Sequence, residues 1–136
     1  MKNKTAGWVF FANQDMVSAK ALIEYVESTG AEITGEIAFL CQQAIEKFFK
    51  GYLVEYGKEP LKIHDLLKLY LEVKGIHDWN LDEDLLEKIS VIYTETRYPR
   101  NICMTPDGRL PTMEEARCYW EFAKKVEGIF TELVGK

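Results

Sequence analysis

Apolar side chains recur at helical spacing along almost the whole chain, and this period constrains the fold more than any other feature. In residues 7–28 they stand at Trp8, Ala12, Met16, Ala19, Ile23 and Val26. Steps of three and four keep one face of an α-helix apolar, and Gly30 is a natural stop just beyond. A second helix is predicted over 34–56, with Thr34 as its N-cap candidate and Gly57 as its C-terminal stop. After Pro60, a third runs from about 64 to 74 with Leu66, Leu69, Tyr70 and Val73 inward, and Gly75 ends it. The fourth begins near Asn80 or Asp82, where Asp82, Glu83 and Asp84 suit a helix N-terminus. Its stripe is Leu85, Ile89 and Ile92, and Pro99 forces Tyr98 out of helical geometry, so it ends near Arg97. Residues 99–111 read as an exposed loop turning at Pro106-Asp107-Gly108. Thr112, followed three later by Glu115, is a capping box. The last helix then reaches about 134 and buries Ala116, Ala123, Val126, Phe130 and Leu133. No segment shows a convincing strand pattern. Short connections favour antiparallel neighbours. The expected architecture is all-α: a five-helix up-and-down antiparallel bundle, one domain over 1–136 with its core at about 7–134.

Composition narrows the function. A chain of 136 residues with 47% hydrophobic content fills one core. The unbroken apolar run Ile37–Cys41 is far short of a membrane span, and no signal-peptide apolar region follows Met1-Lys2-Asn3-Lys4-Thr5. A soluble, cytoplasmic protein is expected, with neither membrane nor DNA as partner. The net charge is −5, so non-specific phosphate binding is disfavoured. All four arginines (Arg97, Arg100, Arg109 and Arg117) lie in the last segment, which carries a local excess of positive charge. Such a cluster on an acidic body can hold one phosphate group. Cys41, Cys103 and Cys118 form no C-x-x-C, and neither His64 nor His77 sits at a zinc-finger interval from them. Idle thiols and no metal or cofactor are expected. G-x-S-x-G, P-loop and G-x-G-x-x-G motifs are absent.

Two segments carry functional signal. On a wheel of the second helix, Ile37, Leu40, Cys41, Ala44, Ile45, Phe48, Gly51 and Tyr52 share the core face. Glu36, Phe39, Gln43, Glu46, Lys47, Lys50, Leu53 and Val54 share the opposite one. Large apolar groups at the ends of that polar face (Phe39, Leu53 and Val54) read as a dimer face, competing with a plain solvated face. Arg97-Tyr98-Pro99-Arg100 reads either as cations meeting the last carbonyls of a helix or as a phosphate clamp that offers an aromatic ring to a base. His64-Asp65 is read as a helix start, because adjacent side chains on a helix do not face each other.

These segments resemble the HEPN domain family. Ala12-x-x-Asp15-Met16-x-x-Ala19, with Trp8 ahead of it, is similar to the family's opening helix. Phe39-x-x-Gln42-Gln43-Ala44-x-Glu46-Lys47-x-x-Lys50 is similar to its second. His64-Asp65-Leu66 resembles the start of its third, and Arg97-Tyr98-Pro99 the segment after its fourth. The resemblance implies a dimerising helical bundle that binds nucleotide or RNA. It also implies a partner, since many members are encoded beside a minimal nucleotidyltransferase in a two-component, toxin–antitoxin-like module. Members that are metal-independent ribonucleases carry an Arg followed by His after four to six residues. Here those positions hold Ile102, Cys103 and Met104 after Arg97, and Thr105, Pro106 and Asp107 after Arg100. Proton transfer near neutral pH needs such a group, so the enzyme reading is disfavoured.

The expectation is therefore a non-catalytic nucleotide- or RNA-binding protein using Arg97, Tyr98, Arg100, Lys50, Gln43 and Glu46, assembled with itself or with a nucleotidyltransferase. The alternatives are a ribonuclease with an atypical acid or base, such as Glu46 or Tyr98, and a purely structural dimerisation module.

Overall fold

A computed structural model describes residues 1–92, 105 and 109–135. Among them the chain forms five helices and no strand: α1 (Asn3–Thr29), α2 (Thr34–Glu55), α3 (Leu66–Lys74), α4 (Glu83–Ser90) and α5 (Met113–Val134). The fourth helix does not reach Arg97 as expected: α4 ends at Ser90, where the Val91 N–H closes its last turn on the Glu87 carbonyl, while Arg97 itself and the turn at 106–108 lie outside the described residues.

The apolar stripes fall inward where the period puts them. Leu66, Leu69, Tyr70 and Val73 of α3 are buried, as are Ala116, Ala123, Val126 and Phe130 of α5. On α4 the fully buried leucine is Leu86, not the expected Leu85, which is half-buried. Local chemistry starts three of the helices. Asp65 accepts the Lys68 N–H and Asp82 accepts the Leu85 N–H, while Thr112 and Glu115 form the reciprocal box at α5. Thr34 is no cap. It is the first residue of α2, and its hydroxyl donates to the Pro111 carbonyl at 2.7 Å, joining the starts of α2 and α5.

The strictly alternating order does not hold. α1 runs antiparallel to α2, for the Lys2 N–H donates to Glu55 at 2.9 Å. It also runs antiparallel to α5, where Arg117 pairs with Glu27 at 3.1 Å. α2 and α5 are parallel: their starts meet at Thr34 and Pro111, and further along both, Phe48 packs on Phe130 with ring centroids 5.5 Å apart. The inference from short connections fails because the segment 56–65 runs back along α2 and delivers α3 to its middle. There the His64 carbonyl accepts from Gln42 at 3.1 Å.

As a result α2 is the central helix, with all four others against it. Its close approach to α1 needs Gly51. A Cβ there would stand 3.1 Å from the Trp8 Cβ, a backbone-proximal atom that cannot swing away. Gly51→Ala is expected to lose about 1–3 kcal/mol through overpacking, which a urea titration followed by circular dichroism would read.

At α5 the Arg109 guanidinium grips Glu115 through two bonds of 2.7 and 3.1 Å, and with the Thr112 N–H it holds that carboxyl down at about 2. A carboxyl depressed in the folded state adds stability above its unfolded value, and that contribution is lost as pH falls through the folded value. Acid should therefore loosen the start of α5 between the ordinary 4.5 and about 2. A Glu115→Gln variant, scanned alongside the native protein, should lack that component of the pH dependence.

Candidate functional site

α2 carries Gln42, Glu46 and Lys50 at steps of four, so the three side chains stack along one side of the helix. Glu46 and Lys50 were expected on an open face of α2, either solvated or covered by a ligand or a second subunit, and Gln42 was placed on neither face. Instead Gln42 is fully buried, Glu46 is 4% exposed and Lys50 is 7% exposed. The cover comes from the returning segment 56–65 and from α1. Ionised groups are retained in such a place only when they are paired and hydrogen-bonded, and here they are. Lys50 Nζ donates to Glu46 Oε2 at 3.0 Å and Gln42 Nε2 donates to Glu46 Oε1 at 3.2 Å. His64 Nδ1 lies 3.1 and 3.2 Å from the two carboxylate oxygens. A carboxylate only accepts, so this geometry assigns the proton to Nδ1. Lys50 Nζ also sits 5.8 Å from the centre of the Trp8 ring, whose face favours a cation.

The cluster latches three parts of the chain together: α2 through Gln42, Glu46 and Lys50; the start of α3 through His64; and α1 through Trp8. Nearby, Lys47 pairs with Asp15 across the α1–α2 interface. Burial, with Asp15 adding to it, pushes the Cys41 thiol up to about 12, so it stays protonated and unreactive. Cys118 is exposed, and Cys103 lies outside the described residues.

The expected site residues therefore divide. Glu46 and Lys50 are together, but as a buried ion pair and not as a surface seam. Gln43 is half-buried beside them. Arg97, Tyr98 and Arg100 lie outside the described residues. The expected dimer face does not form one surface. Leu53 is fully buried in the core, while Phe39 and Val54 are half-buried, Phe39 packed against the core. Leu53 was misassigned because α2 has neighbouring helices on more than one side, so a residue opposite its main apolar stripe is still buried. His64 and Gln42 were missed as Glu46 partners. The wheel paired Glu46 with Gln43 and left Gln42 out, although Gln42 stands four residues before Glu46, and nothing local to His64 showed that it would return to α2. Among the described residues no group of side chains is arranged to hold a metal ion. At the acidic start of α4, Asp82 caps the helix and Glu83 pairs with Lys74 at 2.8 Å.

The family model described as the HEPN domain matches residues 6–133. No curated protein and no solved structure matches the chain.

Proposed function

Because the chain belongs to the HEPN domain family, we propose that it binds a nucleotide or single-stranded RNA without cleaving it. The supporting observation is the state of Glu46. Of the two groups that could serve an atypical ribonuclease as acid or base, Glu46 and Tyr98, Glu46 is 4% exposed and its two oxygens face donors from Gln42, Lys50 and His64, while Tyr98 lies outside the described residues. A general base must come within hydrogen-bond reach of the proton it takes, and a carboxylate so enclosed does not. The Arg…His spacing of catalytic members is also missing, for the only histidines are His64 and His77. Purified protein incubated with single-stranded RNA should leave it intact on a denaturing gel. Cleavage by the native protein that is lost in Arg97→Ala would show the proposal to be wrong.

The reading includes a cytoplasmic location and assembly with a second copy or with a nucleotidyltransferase in a two-component module. No helix of the described residues is long and apolar enough to cross a membrane. The assembly surface is assigned to the outer side of α1 and not to α2. Phe10, Val17 and Tyr25 there are 58%, 70% and 54% exposed, large apolar groups that mark an interaction surface. Val17→Glu should reduce the assembled mass by light scattering while leaving the helical circular dichroism intact. A native protein that stays monomeric at every concentration would contradict self-assembly.

A further inference from the structure

α1 begins beside the end of α2, and the chain leaving α2 turns at Gly57, whose φ of +76° is a conformation that glycine adopts at little cost. The turn sends Lys58 back toward the start of α1, where Lys2 and Lys4 stand. Between them is a hollow of about 490 Å³ walled by these three lysines, Trp8, Val54 and Pro60. Its size falls within the range of small-molecule sites. Only Glu59 among its lining residues is acidic, so it is a cationic place on a chain whose net charge is −5. Lys2 Nζ rests 3.5 Å from the Val54 carbonyl on the wall, and the neighbouring Glu55 carboxylate is held by the Lys2 backbone N–H. A second hollow of about 320 Å³ adjoins across α1, shares Lys4 and Trp8, and adds the half-exposed Phe11.

From this arrangement we propose that the α1–α2 corner is the nucleic-acid site itself, taking a nucleoside phosphate either free or within a single RNA strand. Phosphates lie against Lys2, Lys4 and Lys58, one base stacks on Trp8, and in a strand the next base reaches Phe11. Cations beside aromatic faces are what sequence-tolerant single-strand binding requires. The two hollows that meet at Lys4 and Trp8 provide for consecutive nucleotides. Lys50, paired with Glu46 behind the Trp8 ring, steadies that ring from the protein side. This inference rests on the binding reading above and adds where the ligand sits.

The test compares the native protein with a Lys2→Ala/Lys4→Ala/Lys58→Ala variant. A charge-matched control, Lys68→Ala/Lys88→Ala/Lys125→Ala, removes three exposed cations elsewhere. Labelled octauridylate and labelled ATP are titrated separately by fluorescence anisotropy over a range of salt. The groove variant should bind octauridylate at least tenfold more weakly. The salt slope of its log affinity should be shallower by about 2, as expected for three lost phosphate contacts at roughly 0.7 each on a single strand. The control should keep the native slope. Preference for octauridylate over ATP assigns the site to a strand, and the reverse assigns it to a free nucleotide. An unchanged affinity and slope in the groove variant overturns the groove while the binding reading stands. A native protein that binds neither probe overturns both.

Discussion

Glu46→Ala is expected to destabilise the protein by about 3–5 kcal/mol, because removing one partner of a buried ion pair leaves the other charge uncompensated. Lys50 would keep its buried position (7% exposed) with no carboxylate to receive its proton. The His64 ring would also lose the acceptor at 3.1 Å that ties it to α2, and Gln42 would lose its acceptor at 3.2 Å within that helix. Domains of this size have about 5–15 kcal/mol to lose, so the variant should be partly unfolded at room temperature, or unfold in very little urea. Glu46→Met combined with Lys50→Met should recover much of the loss, since replacing both charges by apolar groups of similar volume is often neutral or better. Circular dichroism through a urea titration reads both. A single variant within about 1 kcal/mol of the native protein, the scale of an exposed pair, would mean that the cluster is open to water.

Leu53→Ala comes next in size, with an expected cost of about 2–5 kcal/mol for the lost contacts and the cavity left behind. Leu53 is fully buried, a member of the core cluster, in which Phe49 stacks on Tyr70 while Trp79 meets both Phe49 and Tyr52. The surviving folded protein should assemble like the native one. If Leu53 instead belonged to a dimer face, the pattern would reverse, with stability held and assembly weakened. Urea titration beside light scattering separates the two.

The contrast between these residues shows how far the sequence could be read. Period alone placed the inner stripes of α3 and α5, because a helix with one neighbouring layer shows one apolar face. It failed on α2, which has neighbours all round: there the polar side chains are satisfied by one another and not by water. Glu46 and Lys50 at i, i+4 look the same on a wheel whether they are exposed or buried. What decides is the return of segment 56–65, and no residue within it announces that path. The same return defeated the alternating topology, which assumed that each connection simply turns the chain round. The groove residues escaped notice for a related reason. Lys2 and Lys4 are far from Lys58 in sequence, and the turn at Gly57 is what joins them. On α1 the inner stripe was read and the outer one was not, although Trp8, Val9, Phe10 and Phe11 in succession put apolar groups on every side of that helix. The Arg97-Tyr98-Pro99-Arg100 segment carries family resemblance in its sequence, and its place in the fold lies outside the described residues.

The central claim is binding without cleavage, and one experiment reads both halves. Fluorescein-labelled single-stranded RNA is titrated with purified protein, and its anisotropy is followed. The same samples are then held for hours and run on a denaturing gel. The account predicts a saturable rise in anisotropy, reversed by salt, with the RNA at full length throughout. No rise at any protein concentration, either with the RNA or with labelled ATP titrated in its place, or fragments that accumulate with time, would contradict it.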